Sequence, residues 1–384
     1  MVYDFVVLGA TGMQGKIVSR DLLENGYSVL LCGRDKKRLR DIIKKHKKTG
    51  FEYFDVRNKE KILKIIKKSG ASVVVNCVER DWNLDILNIC IKAGVNMIDL
   101  GSDILMTKEQ FKYDKELKNK GLIHITGCGS VPGIGNVMLR YVYDDFDKVD
   151  YVEAGFAWDS NIKVFIVPFS IQSITEEFVA PVDKIINHKH ITVKPMDTVV
   201  RCYHRLTGKE KCFNVGHHPE TFTFYEFFKD KGIKNVEFFA GFPDHSFNKI
   251  KMMVDLGFAD KEEIEFQGKK IIPVNFLTEI LKKIKIPKGY KEVENLWIEV
   301  RGKKNGKKKN VKMECLVKTL KGWEEAGSNI DTGMPASIIA QMIKNRVIKE
   351  KGSFSPELVV PTEPFFKELR KRKMIVLKNG KRVN

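Results

Sequence analysis

Cysteine is sparse and unpaired in pattern: seven residues (Cys32, Cys77, Cys90, Cys128, Cys202, Cys212 and Cys315) are scattered through 384, with no C-x-x-C spacing. Most sit inside apolar segments, as small core residues do, so neither a disulfide framework nor a zinc site is expected, and no metal ligand is assigned. No apolar run is long enough to span a bilayer, and the chain enters a strand at once, without a basic n-region and cleavage site. No membrane partner is expected, and a cytoplasmic location is. Internal repeats and low-complexity tracts are absent as well. Acidic side chains are in deficit, 49 Asp+Glu against 68 Lys+Arg, for a formal net charge of +19. A nucleic-acid surface would cluster that charge and interleave it with aromatics. Here the lysines are spread along the chain, and the densest run, Arg301-Gly302-Lys303-Lys304-Asn305-Gly306-Lys307-Lys308-Lys309, surrounds an Asn-Gly pair between two strand-like segments. That is the signature of a hairpin tip. No nucleic-acid partner is expected, although a positive field favours anionic cofactors and substrates.

The first fifteen residues carry the strongest positive signal. Asp4-Phe5-Val6-Val7-Leu8 leads into Gly9-Ala10-Thr11-Gly12-Met13-Gln14-Gly15, and Lys16-Ile17-Val18 continues at helical spacing. Strand, glycine turn and helix start in this order let a pyrophosphate approach the main chain at a helix N-terminus. Gly9, Thr11, Gly12, Met13 and Gly15 are therefore assigned to a dinucleotide. A second strand, 28–32, ends in Gly33-Arg34. A carboxylate at that tip would bind a free ribose 2′-hydroxyl, whereas an arginine accepts a 2′-phosphate. Arg34 favours NADP, with NAD the alternative, and the competing reading is that Arg34 and its basic neighbours merely begin a helix capped by Asp35. A third strand, 51–54, ends at Asp55 and Val56, placed to meet the adenine. A fourth, 72–77, brings Asn76 and Cys77 to the nicotinamide end.

Strands at 96–99 and 122–126, with helices at 83–93 and 108–120, complete an alternation that argues for a parallel sheet covered on both faces. After residue 126 the character changes. Four glycines and a proline in 127–136 precede an apolar helix, and the strands near 149–156, 197–203, 211–215, 236–241 and 296–300 lack regular helices between them. The expected fold is α/β, a Rossmann-like doubly wound parallel sheet, with a second α+β domain built on a mainly antiparallel sheet. The expected division is a dinucleotide-binding domain at 1–126, a connecting turn and helix at 127–146, a substrate and dimerisation domain at 147–331, and a helix and tail at 332–384 that return to the first domain. Pro335 is expected in the first turn of that helix.

Several motifs in order resemble those of the saccharopine dehydrogenase-like family, which includes saccharopine dehydrogenases, lysine 6-dehydrogenase and carboxynorspermidine synthases. They are the Gly9/Gly12/Gly15 turn; Val75-Asn76-Cys77 with the segment 90–100; Gly127-Cys128-Gly129-Ser130-Val131-Pro132-Gly133-Ile134-Gly135-Asn136; His218-Pro219-Glu220-Thr221; Thr332-Gly333-Met334-Pro335-Ala336; and the tail 355–361. The resemblance implies a Rossmann domain, an inserted α+β substrate domain, a homodimer, and hydride exchange at a carbon bearing nitrogen in a small amino acid or polyamine substrate. One departure stands out. Saccharopine-forming and carboxypolyamine-forming members share an Asp-Pro-Gly turn, but this chain has Val131-Pro132-Gly133. A valine transfers no proton, and the Val-Pro-Gly form is closer to the lysine 6-dehydrogenase branch.

Such chemistry needs a proton carrier and groups for a substrate ammonium or carboxylate. His217, His218 and Glu220 are the candidate catalytic groups, a histidine tuned by a neighbouring carboxylate being the natural near-neutral carrier. Asp103, just beyond the fifth strand, is another. Glu79, Arg80 and Asp81 at the tip of the fourth strand, with Thr221, are candidates for substrate binding. Each has a structural alternative: a rigid turn fixed by Pro219, a turn cap at Asp103 and an exposed ion-paired loop at 79–81. Specificity is expected from segments 165–178 and 204–223.

Overall fold

The computed structural model describes residues 2–101, 103–167 and 170–384. Two compact units are present, one made of 1–145 and 330–384, the other of 146–329.

In the first unit, β1 (Phe5–Leu8), β2 (Val29–Gly33), β3 (Thr49–Tyr53), β4 (Val73–Asn76), β5 (Asn96–Asp99) and β6 (Ile123–Ile125) form one parallel sheet, joined at its edge by Gly352–Phe354. From that edge the order is 352–354, β6, β5, β4, β1, β2, β3. Every residue of β1, β2 and β4 is buried, which is why these strands read as continuous apolar runs rather than alternating ones. The order reverses direction beside β1, and the carboxyl end of β1, between β2 and β4, is the switch point where such sheets bind ligands.

The C-terminal segment is integral to this unit. Helix Ile330–Lys344 crosses the first helix, α1 (Met13–Glu24), so closely that a methyl on Gly333 would lie 2.5 Å from Ile17 Cγ2. Arg372 reaches Asp21 of α1 through two bonds of 2.7 and 2.8 Å, both side chains buried. Pro335 falls inside this helix rather than in its first turn, because the helix begins at Ile330, directly after a 3-10 segment. The helix expected at 108–120 is two shorter ones, Ile104–Phe111 and Asp114–Asn119.

The second unit is built on β7 (Lys148–Ser160), which pairs in parallel with β12 (Asn235–Gly241) and antiparallel with Glu292–Lys304. Between β7 and β12 in sequence come β8 (Val182–Ile186), β9 (Lys189–Val193), β10 (Val199–His204) and β11 (Gly208–Asn214). The β10–β11 hairpin extends the sheet antiparallel from β12, and β8–β9 is a second hairpin attached to β12. Glu292–Lys304 and Lys307–Lys318 form a long hairpin whose turn residues, Asn305 and Gly306, have φ of 51° and 74°. This is the Asn-Gly tip read from the sequence, and its lysines flank the turn of a hairpin.

Candidate functional site

The glycine turn is closed by three backbone bonds. Ala10 N–H donates to Cys32 C=O (2.9 Å), Gly12 N–H to Gly9 C=O (2.9 Å), and Cys77 N–H to Leu8 C=O (2.9 Å). The loop is thereby held at the ends of both neighbouring strands. Gly9 has φ of +76°, and a Cβ there would lie 2.6 Å from Cys77 C=O. Gly12 is the N-cap of α1 and makes no side-chain cap, so the first N–H groups of the helix have no capping side chain to compete with an anion. Met13 and Thr11 follow the same turn. Thr11 packs against Gly33, where a methyl would meet Thr11 Cγ2 at 2.4 Å; the glycine before Arg34 is thus required by the fold of the site.

Arg34 is exposed at the tip of β2. Its charge acts on Asp55, whose carboxylate is gripped by Arg57: Nε at 3.0 Å, Nη2 at 2.6 Å and the backbone N–H at 3.0 Å. Hydrogen bonding from Arg57 holds the Asp55 carboxyl down at about 2. The expected adenine-side residues, Asp55 and Val56, therefore come with Arg57, a second guanidinium that the sequence reading did not assign. With no carboxylate at the strand tip itself, these residues fit a 2′-phosphorylated dinucleotide. Arg34→Ala is expected to weaken NADP binding by about tenfold to a hundredfold, the value of one or two charge-assisted hydrogen bonds, and to leave NAD binding nearly unchanged. Fluorescence titration of the two reduced cofactors checks this.

At the end of β4, Asn76 is buried and donates to Asn83 Oδ1 (2.9 Å), tying the strand to the next helix. Burial pushes the Cys77 thiol up to about 12, so it is a packing group whose carbonyl faces Gly9. Glu79, Arg80 and Asp81 form the short turn after β4; Arg80 and Asp81 are 3.8 Å apart, and the Asp81 side chain is 83% exposed. Asp103 caps a helix rather than a turn: it is the N-cap of Ile104–Phe111, accepting from Met106 N–H at 2.8 Å.

Asp99 is a buried carboxylate at the centre of a hydrogen-bond network. Fully buried, it accepts from Gly101 N–H (2.8 Å), Gln110 Nε2 (2.7 Å), Thr126 Oγ1 (2.8 Å) and Gly127 N–H (3.3 Å), and it contacts His124 Nε2 (3.1 Å). Burial alone would raise its carboxyl; the His124 hydrogen bond and charge, with Thr126 and Gly101, outweigh that and hold it below the usual range. Its partners begin the loop 127–136, which folds on itself so tightly that a methyl on Gly133 would lie 1.8 Å from Gly129 C=O. Asn136 bonds Gly133 N–H (2.7 Å) and donates to Glu357 of the tail (2.8 Å). Val131 is buried, 5% exposed. Cys128, also buried, is pushed up by desolvation and is a packing thiol.

The second constellation lies in the other unit. His218 stacks on Phe238, ring centroids 3.5 Å apart and 12° from parallel, and its Nδ1 is 3.5 Å from Glu220 Oε2. Pro219 caps the helix Glu220–Phe227, and the Thr221 hydroxyl donates to His218 C=O (3.3 Å). The structure thus brings His218, Glu220 and Thr221 together and gives Thr221 a structural bond. His217 has φ of 62°, so the chain turns sharply just before the pair. Sequence reading missed Glu177, on the helix Ile171–Val179. It is buried, and its Oε2 has no hydrogen-bond partner among the described residues. Burial pushes the Glu177 carboxyl well above the ordinary range, and the charges of Glu176 and Glu220 add to the effect. The available signal was its place three residues after Ile174, toward the face that Ile171, Ile174 and Phe178 bury in a helix of mixed polarity. Of the segment 165–178, residues 168 and 169 lie outside the described residues.

No described helix is long and apolar enough to cross a membrane. Residues 5–125 match the saccharopine dehydrogenase NADP binding domain, and residues 129–375 match the saccharopine dehydrogenase C-terminal domain. The carboxyaminopropylagmatine dehydrogenase of Synechocystis sp. is 23% identical over 392 residues, covering 95% of this chain and 94% of that one. The carboxynorspermidine synthase of Vibrio cholerae is 24% identical over 366 residues, 88% of this chain and 83% of its own. Among solved structures, apo saccharopine dehydrogenase (L-Glu forming) from Saccharomyces cerevisiae superposes with a TM-score of 0.76 over 100% of both chains at 13% identity, which is likeness of fold. With both domain matches in order along the chain, the protein belongs to the saccharopine dehydrogenase family and is an NADP-binding oxidoreductase.

Proposed function

We propose that this oxidoreductase acts on a C–N bond of an amino acid that carries a second basic nitrogen, by hydride transfer through an imine. Lysine, saccharopine and related diamino compounds make up one substrate class. The other is a carboxyalkyl derivative of a di- or polyamine, formed by reductive condensation, and the names of the curated relatives favour it. Val131 favours lysine within the first class, since saccharopine-forming and carboxypolyamine-forming members alike carry an aspartate at that turn. The observation that carries the reading is the buried acid group of the second unit: Glu177 and Glu220, with His218 against Glu220. Buried carboxylates are stable only when matched by a cation or a proton. An alkylammonium or guanidinium supplies the cation.

NADP supplies the hydride carrier. The chain's own part is to seat the substrate nitrogen against Glu177 and Glu220 and to move the amine proton through His218, whose ring is fixed by Phe238. Absorbance at the reduced-nicotinamide band, followed with basic amino acids and opines in the oxidative direction and with diamines plus carbonyl acids in the reductive one, tests this. Turnover confined to compounds with a second basic nitrogen supports the reading, and turnover only with neutral substrates overturns it.

A pH-dependent result follows from Glu177. Its carboxyl is raised in the folded chain, so the unfolded state, with an ordinary value of about 4.3, loses the proton first. Stability contributed by this group is therefore present at acid pH and falls as pH rises from that value. Glu177→Gln removes the cost, and at neutral pH the melting temperature is expected to rise by roughly 2–4 °C, for about 1 kcal/mol. The same variant is expected to raise KM for the cationic substrate about tenfold. Melting curves and steady-state kinetics on one preparation check both.

A further inference from the structure

The hairpin β10–β11 lies at the edge of the second unit's sheet, and its inward face carries an unusual set of side chains. Cys202 and His204 are two residues apart on β10, so they share a face. The antiparallel register places Glu210 opposite Cys202 and Cys212 opposite Val200, bringing Cys212 diagonally beside Cys202. The two sulfurs and a ring nitrogen of His204 all lie within 4.8 Å of one another, and Cys212 Sγ is 3.6 Å from His204 Nε2. Ligands bound to zinc at about 2.3 Å (sulfur) and 2.0–2.1 Å (nitrogen) in a tetrahedron are themselves about 3.6 Å apart.

Two further observations point to a ligand. His204 is fully buried under the Trp297 ring, centroids 4.5 Å apart, and its Nδ1 has no hydrogen-bond partner among the described residues. On the same face, Glu210 Oε2 is also buried and unpartnered among the described residues. Gly241 of β12 makes the space for it: a methyl there would lie 2.9 Å from Glu210 Oε2 and 3.1 Å from Cys212 Sγ. Ala157, Phe239 and Trp297 pack with Cys212 and Cys202 as apolar surface.

We propose that Cys202, His204 and Cys212 form a zinc site, with Glu210 offering a carboxylate oxygen to the fourth position. Two thiolates and an imidazole suit this borderline-soft cation. Binding replaces the two thiol protons, which leave to solvent; the two thiolates balance the 2+ charge, and the Glu210 carboxylate leaves the four-ligand unit with one negative charge. The role is structural, cross-linking the two strands of the edge hairpin.

Metal analysis of the full chain purified without chelator is expected to give about one zinc per chain. After stripping and titration with Co2+, a thiolate-to-cobalt charge-transfer band and the visible bands of tetrahedral cobalt are expected, saturating at one equivalent with release of about two protons. Cys202→Ser and Cys212→Ser are expected to abolish the charge-transfer band or cut it by about half, and His204→Asn to weaken cobalt affinity at least tenfold. Melting of the wild type is expected to fall on stripping and recover on zinc addition, a result that needs no variant to fold. Folded wild type that neither contains zinc nor develops the cobalt bands overturns the proposal. So do bands unchanged in all three variants, or mass spectra of the freshly purified protein showing a Cys202–Cys212 disulfide in place of two free thiols.

Discussion

Gly12→Ala is expected to leave the first unit folded and to weaken NADP binding by a hundredfold or more, about 2.7 kcal/mol. A methyl on Gly12 meets only Gly9 C=O, at 3.3 Å, a contact that a shift of a few tenths of an ångström relieves. The methyl then occupies the space in front of the α1 N-terminus where the pyrophosphate must approach the backbone. Gly15→Ala is the contrasting control. Its methyl would lie 2.2 Å from Gly9 O, 2.7 Å from Gly9 C and 2.8 Å from Ala10 Cα, all of them backbone, so the strand-to-helix packing itself must open. Gly15→Ala is expected to lower the melting temperature markedly, and Gly12→Ala to change it by no more than a few degrees. Thermal melting beside fluorescence titration with NADPH separates the two roles, and NADPH binding by Gly12→Ala at wild-type affinity contradicts the assignment of this turn to phosphate.

Asp99→Ala is expected to cost about 3–5 kcal/mol of stability, the usual loss when one member of a buried charged network is removed, or roughly 10 °C or more in melting temperature. The substitution strands His124, Gln110 Nε2, Thr126 Oγ1 and the Gly101 N–H, and it releases the start of the 127–136 loop. The effect has a pH signature. Because the Asp99 carboxyl is lowered in the folded chain, its contribution is complete above the ordinary aspartate value of about 3.9 and fades as pH falls through the lower folded value. The gap between wild type and variant therefore narrows in acid and stays constant from about pH 5 upward. A constant gap into strong acid would assign the loss to packing rather than to the charge network.

The parallel sheet was legible because β1, β2 and β4 are buried on both faces and so appear as unbroken apolar runs ending in glycine or asparagine. The glycine turn was legible for the same local reason, each glycine having a neighbour that excludes or nearly touches a side chain. Elements whose limits depend on tertiary contacts were harder to read. Pro335 carries the local mark of a helix start, yet the helix begins at Ile330 and packs along α1 through Gly333. The motif 127–136 and the tail 355–361 appear in sequence as two separate signals; in space they meet through Asn136 and Glu357. Glu177 gave little warning because it follows Glu176 in a helix of mixed polarity, where a glutamate resembles a surface position until its burial is known. Cys202, His204 and Cys212 were passed over because metal signatures are usually sought as C-x-x-C, whereas a hairpin gathers its ligands by alternation on one strand and register across two.

The most direct test of the central claim is the fate of the transferred hydrogen. NADPH carrying deuterium at the transferable C4 position, incubated with the enzyme and the amine and carbonyl pair that supports turnover, is expected to place one deuterium on the carbon bonded to the new secondary or primary amine nitrogen, located by fragment mass spectrometry. Cofactor oxidation with the label absent from that carbon, or found on a carbon bearing oxygen, would contradict hydride transfer through an imine.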